Sequence, residues 1–108
     1  MDVLEGGITS PKGYKAAGVH CGIKKEKLDL AVIYSDVPAK CAIAYTQNKV
    51  RAAPIEVMMK KDPRMLQAMV VNSGNANAIT GAQGIRDAQQ MVALTAQALG
   101  VKDDLVGV

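Results

Sequence analysis

The chain has 108 residues, of which 49% are apolar and 21% are charged, and its formal net charge is +3. This length fits one domain, and the composition excludes collagen-like, disordered and coiled-coil proteins. No run approaches the roughly 20 apolar residues that a membrane-spanning helix requires, and residues 1–7 lack the pattern of a secretory signal. With two cysteines, Cys21 and Cys41, we expect reduced thiols and a cytoplasmic location.

Aromatic residues are unusually scarce, since the chain has three Tyr and neither Phe nor Trp. Aromatic side chains normally supply a large share of the buried area of a core. A domain of this size already buries a smaller fraction of its surface than a larger one. We therefore expect a thin core of small aliphatic residues, and we expect the chain to pack against further protein.

Three strands joined by short turns are predicted in the first half of the chain. Residues 14–23 alternate between larger and small side chains, and residues 28–35 are nearly continuously apolar. Residues 36–39 contain Pro38 and are predicted to turn the chain. Residues 40–46 are predicted as the third strand, with Cys41, Ile43 and Tyr45 on one face. This arrangement predicts an antiparallel meander.

Two helices and two further strands are predicted in the second half. Pro54 suits a first helical position, and Pro63 ends that short helix. Residues 64–71 are predicted as a strand, and residues 105–108 as the beginning of another. A long helix is predicted from Ala82 or Gly84 to Leu99, with Gly100 as its stop signal. Its apolar face comprises Ile85, Ala88, Val92, Ala96 and Leu99, widened by Met91, Leu94 and Ala98. We expect an α/β fold of the α+β type, with helices packed on a largely antiparallel sheet.

The loop at residues 72–77 is the most informative candidate site. It joins a predicted buried strand to a helix, and such junctions direct backbone N–H groups towards ligands. Its three Asn side chains offer amide donors and acceptors beside Ser73 and Gly74. The alternative is that these side chains only satisfy the backbone of the turn. The spacing matches neither a phosphate loop nor a dinucleotide-binding fingerprint.

Other chemistries have weaker support. His20 and Cys21 are adjacent, so strand alternation would place them on opposite faces, which disfavours thiol catalysis. One His and two Cys at these spacings form no recognisable zinc site. The lysines of the N-terminal quarter lack interleaved aromatic residues, which disfavours nucleic-acid binding.

Several motifs resemble the ornithine acetyltransferase family, also called bifunctional glutamate N-acetyltransferase, of arginine biosynthesis. The resemblance covers essentially the whole chain, and its most specific part is Val71-Asn72-Ser73-Gly74-Asn75-Ala76-Asn77-Ala78. The other matching segments occur in the family's order: Gly6-Gly7-Ile8-Thr9, Pro11-Lys12-Gly13, Ala17-Gly18-Val19, Cys21-Gly22-Ile23-Lys24, Asp29-Leu30-Ala31, Ser35-Asp36, Asn48, Ala52-Ala53-Pro54 and Thr80-Gly81.

The resemblance implies a self-cleaving precursor whose α and β chains remain together as an α2β2 assembly with an αββα-like layered sandwich. A threonine at the start of the β chain is the nucleophile in this family. It takes acetyl from N-acetylornithine and passes it to glutamate through an acetyl-threonine intermediate, and some members use acetyl-CoA as a donor. The resemblance therefore implies no tightly bound cofactor, with acetyl-CoA as a substrate of some members. The composition leads us to expect neither nucleic acid nor membrane as a partner.

The family's principal catalytic groups are expected beyond Val108. The resemblance places the oxyanion-hole Thr-Gly pair shortly after a strand like residues 105–108, and the nucleophilic threonine further on. We therefore expect residues 1–108 to be the N-terminal portion of the α chain, cut before that pair and inactive alone. Within this chain, the expected active-site wall comprises Asn72, Ser73, Gly74, Asn75 and Asn77. The alternative is a stand-alone small-molecule-binding domain or a structural partner domain.

Overall fold

The computed structural model describes residues 2–3 and 5–108, which form one four-stranded sheet with helices on one face. Met1 and Leu4, which belong to the segment examined for a secretory signal, lie outside the described residues. The elements in chain order are β1 (Tyr14–Val19), β2 (Leu30–Lys40), α1 (Ala53–Lys61), β3 (Met65–Asn72), α2 (Gly81–Leu99), a 3-10 turn (Asp103–Leu105) and β4 (Val106–Gly107).

The strands lie in the order β1-β2-β3-β4. β1 pairs with β2 and β2 with β3 in antiparallel fashion, whereas β4 lies parallel to β3. α2 connects β3 to β4, because a parallel pair needs a long crossover connection. The predicted fold class, a largely antiparallel sheet carrying helices, is confirmed.

The core lies between α2 and the sheet and is built from small residues. α2 packs on β3 and β4, and it ends at Gly100, whose left-handed backbone (φ 66°) returns an N–H to the last turn. The main buried cluster comprises Ala68, Val70, Val92, Ala96 and Val106. The expectation of a thin aliphatic core is therefore confirmed.

The apolar face of α2 is narrower than predicted. Ala88, Val92 and Ala96 are buried, but Leu94 is 57% exposed and Ala98 is also exposed. The prediction that Leu94 and Ala98 widen the buried stripe is wrong for this chain, because α2 lies over β3 and β4 while these two side chains point beyond that pair towards β1 and β2.

The third strand predicted at residues 40–46 is also absent from the structure. β2 instead continues to Lys40, and a register shift between Tyr34 and Ala39 accommodates the stretch around Pro38 without a turn. Lys40 pairs with Met65, the first residue of β3, and Cys41 donates its N–H to Arg64 O. Beyond that point the described residues provide no neighbouring strand, so residues 41–46 follow an irregular path despite their alternating side chains.

The sheet face opposite the helices is apolar and carries no helix among the described residues. Strand register places Ala31, Ile33, Met69 and Val71 on this face, and Val71 is 46% exposed. A two-layer domain normally buries both the helix stripe and the sheet face that it covers, whereas this face lacks a covering layer. Neither helix in the described part of the chain has the length and apolar character needed to cross a membrane.

Lys61, in the last turn of α1, connects this helix by hydrogen bonds to the 3-10 turn and to the start of β4. Its ammonium group donates hydrogen bonds to the carbonyl oxygens of Asp103 and Val106. We expect Lys61→Met to lower the free energy of unfolding by about 1–2 kcal/mol, since hydrogen bonds from a charged donor are lost. Thermal unfolding followed by circular dichroism measures this effect.

The matched control is Lys60→Met, one position earlier in the same turn, where the side chain is exposed. Its expected effect lies within about 0.5 kcal/mol. Equal destabilisation by the two substitutions would contradict the assignment of this role to Lys61.

Candidate functional site

The loop at residues 72–77 lies at the carboxyl end of β3, next to the first turn of α2. A pocket of about 340 Å³ opens beside it. The polar lining comes from Asn72, Asn75, Asn77, Thr80 and Asp87, and the apolar lining from Ile23, Leu30, Ala76 and Met91. The strand-to-helix junction predicted from sequence is therefore present, and it has a cavity at its surface.

Three of the five predicted wall residues, Asn72, Asn75 and Asn77, line this pocket. The Asn72 amide donates to Asn75 O over 3.1 Å, which closes the turn. The Asn77 amide donates to Gly84 O over 2.8 Å and accepts from the Thr80 hydroxyl, which joins the loop to α2. The side chain of Asn75 forms no hydrogen bond with the described residues and faces the pocket. Two of the three Asn side chains thus support the turn, while Asn75 has its amide available.

Ser73 and Gly74, the other two predicted wall residues, do not line the pocket and instead support the backbone of the loop. Ser73 donates its backbone N–H to Asp29 O over 2.8 Å, away from the pocket. Gly74 has φ 102°, and a β-carbon there would lie 2.8 Å from Lys24 Cγ. Glycine is therefore required at position 74 because of both its backbone conformation and the close approach of the neighbouring turn.

Asp29 organises the turn that faces this loop, and sequence inspection did not single it out as a site residue. Its buried carboxylate accepts the N–H groups of Cys21 at 2.7 Å and Lys24 at 2.9 Å. The Cys21 N–H is the main cause that holds the pKa of Asp29 far below its ordinary range; burial opposes this shift and the Lys24 N–H adds to it. The sequence does contain a signal for this role, because Asp29 follows a turn with a glycine, Gly22, and immediately precedes an apolar strand.

His20 and Cys21 both lie in this turn, because β1 ends at Val19. The prediction that they occupy opposite faces of a strand is therefore wrong. His20 Nε2 is 2.6 Å from Lys24 O and 3.9 Å from the Asp29 carboxylate. A hydrogen bond to Asp29, with burial, raises the pKa of the Cys21 thiol. A raised thiol pKa disfavours the thiolate, so this pair lacks the activation that a nucleophilic cysteine needs.

The loop is also tied to the segment before α1. Asn77 O accepts the N–H of Ala53, and Ala52 forms an isolated bridge with Ala78. Next to this bridge, Ile79 has φ 57°, a left-handed conformation that is unusual for a β-branched residue. Its side chain is 85% exposed. The described residues contain no group of three His, Cys, Asp or Glu side chains placed to hold a metal ion. The site is therefore an amide-rich pocket with one carboxylate, that of Asp87.

Comparison with known proteins agrees with these features. The family model described as "ArgJ family" matches residues 15–108. The chain is 50% identical over 108 residues to the arginine biosynthesis bifunctional protein ArgJ of Bacillus thuringiensis subsp. konkukian, and this match covers 98% of the chain and 26% of the relative. The corresponding protein of Listeria monocytogenes serotype 4b is 48% identical, with coverage of 100% and 28%. The chain thus spans about a quarter of the length of these relatives.

Two crystal structures share the fold. The structure of ArgJ from Bacillus halodurans superposes with a TM-score of 0.91 at 45% identity, covering 95% of this chain and 55% of that one. Ornithine acetyltransferase from Mycobacterium tuberculosis, solved in complex with ornithine, gives a TM-score of 0.82 at 35% identity, with coverage of 94% and 57%.

Proposed function

Because this chain belongs to the ArgJ family, we propose that it is part of an arginine-biosynthesis acetyltransferase. The proposed reaction moves acetyl from N-acetylornithine to glutamate through an acetyl-threonine intermediate, with acetyl-CoA as a further donor. The proposed working form is a self-cleaved cytoplasmic α2β2 assembly. This chain supplies the first quarter of the family's length and relies on the remainder for the nucleophile.

The observation that carries this proposal is the parallel pairing of β3 and β4. Met69 pairs with Gly107, and Asn72 lies three residues beyond Met69. Because parallel strands run in one direction, a residue three positions beyond Gly107 would lie beside Asn72. The resemblance places the family's oxyanion-hole Thr-Gly pair shortly after this strand. The two features would therefore meet at one edge of the sheet.

The chemistry assigned to this edge is acyl transfer. A threonine hydroxyl assisted by a nearby amine splits the transfer into two easier steps. Hydrogen-bond donors at the oxyanion stabilise charge that develops only in the transition state. Asn75, whose amide faces the pocket, is proposed to contact substrate in this wall, while Asn72 and Asn77 hold the loop in position.

The uncovered apolar sheet face favours a chain that packs against further protein over a domain that acts alone. Ala31, Ile33, Met69 and Val71 would be buried by a second sheet in the proposed αββα-like sandwich. The alternative, a stand-alone metabolite-binding domain, would leave this face in water at a free-energy cost.

The test is a chimera in which these 108 residues replace the matching segment of the Bacillus thuringiensis relative. We expect the chimera to convert N-acetylornithine and glutamate to ornithine and N-acetylglutamate, as the relative assayed in parallel does, and the 108-residue chain alone to be inactive. A chimera that elutes and unfolds like the relative but transfers no acetyl group would contradict the proposed function.

Within the chimera, Asn75→Ala and Asn77→Ala form a matched pair. We expect Asn75→Ala to lower kcat/KM about 10-fold or more with little change in melting temperature, because its side chain supports no turn. Asn77→Ala should lower stability by about 1–2 kcal/mol, because two hydrogen bonds between the loop and α2 are lost. If turnover per folded molecule is unchanged in both variants, the loop is structural only.

A further inference from the structure

A long apolar groove lies beside α2, on the same sheet face as the helix. Its volume is about 480 Å³. The floor comes from β1, β2 and β3, and the wall from α2. The lining of the groove includes Lys15, Ala17, Tyr34, Leu94, Thr95 and Ala98.

The width of the uncovered floor matches one helix. Neighbouring strands lie about 4.8 Å apart, and a packed helix occupies about 10 Å, so one helix covers about two strands. α2 covers β3 and β4. Leu30, Val32 and Tyr34 of β2 pack only against the edge of the α2 core cluster. Neither helix of the described residues makes an extensive contact with β1 or β2. The helical layer therefore has space for one more helix beside α2.

The shape of the groove favours large apolar side chains on the incoming element. Short side chains line both its floor, at Ala17, and its wall, at Thr95 and Ala98. Leu94 lies at the edge of the groove with 57% of its surface exposed, although Val92 and Ala96 on the same helix are buried. Large side chains of a partner helix would fill the space beside these alanines and cover Leu94, as interdigitating ridges do between packed helices.

The groove has few polar side chains that could orient a small ligand, namely those of Lys15, Tyr34 and Thr95. Lys15 already forms an ion pair with Asp36 at 2.7 Å, and its ammonium lies 5.9 Å from the centroid of the Tyr34 ring. Ligand sites usually combine an apolar lining with a few convergent polar groups. A continuous apolar partner is therefore the better fit.

The relatives contain enough additional protein to supply that partner. The match covers 26% of the Bacillus thuringiensis relative and 55% of the solved Bacillus halodurans chain, so nearly half of the solved chain lies outside the match. We propose that the groove is the docking site for one amphipathic helix from the part of ArgJ-family proteins that this chain does not include. The inference rests on the proposed association with that part, and it is independent of the proposed acetyl transfer.

The experiment uses the chimera with Cys21→Ser and Cys41→Ser. One thiol is then introduced in the groove by Ala98→Cys, and a matched one by Ala93→Cys, which is exposed on the side of α2 that faces away from the groove. Each protein reacts with a benzophenone-bearing maleimide while folded. We expect the thiol at position 98 to react at least 10-fold more slowly than the thiol at position 93. Brief denaturation, labelling, refolding and illumination should then cross-link position 98 to a peptide from the relative's own portion.

Two results would overturn the proposal. Equal labelling rates at positions 98 and 93 would mean that the groove is open in the assembled protein. A cross-link from position 98 to residues 1–108 of another molecule would identify a second copy as the occupant. If the chimera does not elute like the relative, the same two thiols are placed at the aligned positions of the relative itself. Acetyl transfer is assayed separately, so failure of the docking proposal and failure of the proposed function are distinguishable.

Discussion

Asp29→Asn is expected to lower the melting temperature of the chain by more than about 5 °C. The carboxylate accepts two backbone N–H groups of the turn, from Cys21 and Lys24. An asparagine amide would place an NH₂ group against one of these donors, so a buried N–H would lose its acceptor. Because Asp29 O also accepts the N–H of Ser73, displacement of this turn would extend to the candidate loop.

The effect of Asp29→Asn should depend on pH. Hydrogen bonding lowers the folded-state pKa of this carboxyl. A lowered folded pKa means that the stabilisation is fully present above the ordinary carboxyl range, near pH 4, and is lost as the pH falls below it. The difference in melting temperature between the wild type and the variant should therefore be constant from pH 7 to 5 and should narrow towards pH 2.5. Circular dichroism melts across this range provide the measurement.

Asp36→Asn is the matched control for this prediction. Its carboxylate is exposed and pairs with Lys15 at the surface, and such pairs contribute little to stability. We expect a change of no more than about 2 °C at neutral pH. A difference between Asp29→Asn and the wild type that stays constant down to pH 2.5 would show that the carboxylate charge is not what stabilises the turn.

Gly84→Ala should destabilise the chain by about 2–3 kcal/mol, although alanine is the better helix former by about 1 kcal/mol. Position 84 lies in the first turn of α2, buried against the loop. A β-carbon there would clash with Thr80 Oγ1 and Asn77 Oδ1. The Thr80 β-carbon is 2.7 Å away, so rotation of side chains alone does not relieve the clash. Thermal or urea unfolding measures the change.

Gly7→Ala is the corresponding control, because no atom lies within 4 Å of a β-carbon at that position. We expect it to be neutral within about 0.5 kcal/mol. In the chimera, Gly84→Ala should also reduce acetyl transfer, since Asn77 and Thr80 must move away from their present hydrogen bond. A Gly84→Ala protein as stable as the wild type would contradict the close packing of α2 against the loop.

The helices and their ends were predictable because their signals are local. Pro54 at the start of α1, Pro63 after it and Gly100 after α2 act through their own backbone geometry. The strand-to-helix junction at residues 72–77 was predictable for the same reason. The family was also identifiable from sequence, since its longest motif forms a continuous run at this junction.

The different roles of Asn72, Asn75 and Asn77 could be assigned only from the tertiary structure. Asn72, Asn75 and Asn77 have the same chemistry, and their spacing does not show which amides the fold uses. The positions of Asn75 O and Gly84 O decide that two side chains support the turn and one faces the pocket. Asp29 was missed because its partners, the N–H groups of Cys21 and Lys24, become neighbours only when the turn folds around it.

The sequence by itself determined the two helices, the strand-to-helix junction, the small-residue core and the family of this protein, because each depends on composition or on residues close together in the chain. The tertiary structure alone decided strand pairing and exposure. Residues 40–46 alternate like a strand but have no partner, because β3 begins opposite Lys40. Leu94 and Ala98 continue an apolar stripe but remain exposed, because α2 covers two strands of a four-stranded sheet. Both outcomes depend on which neighbour is present in space, and a strand or an apolar face needs such a neighbour to be completed.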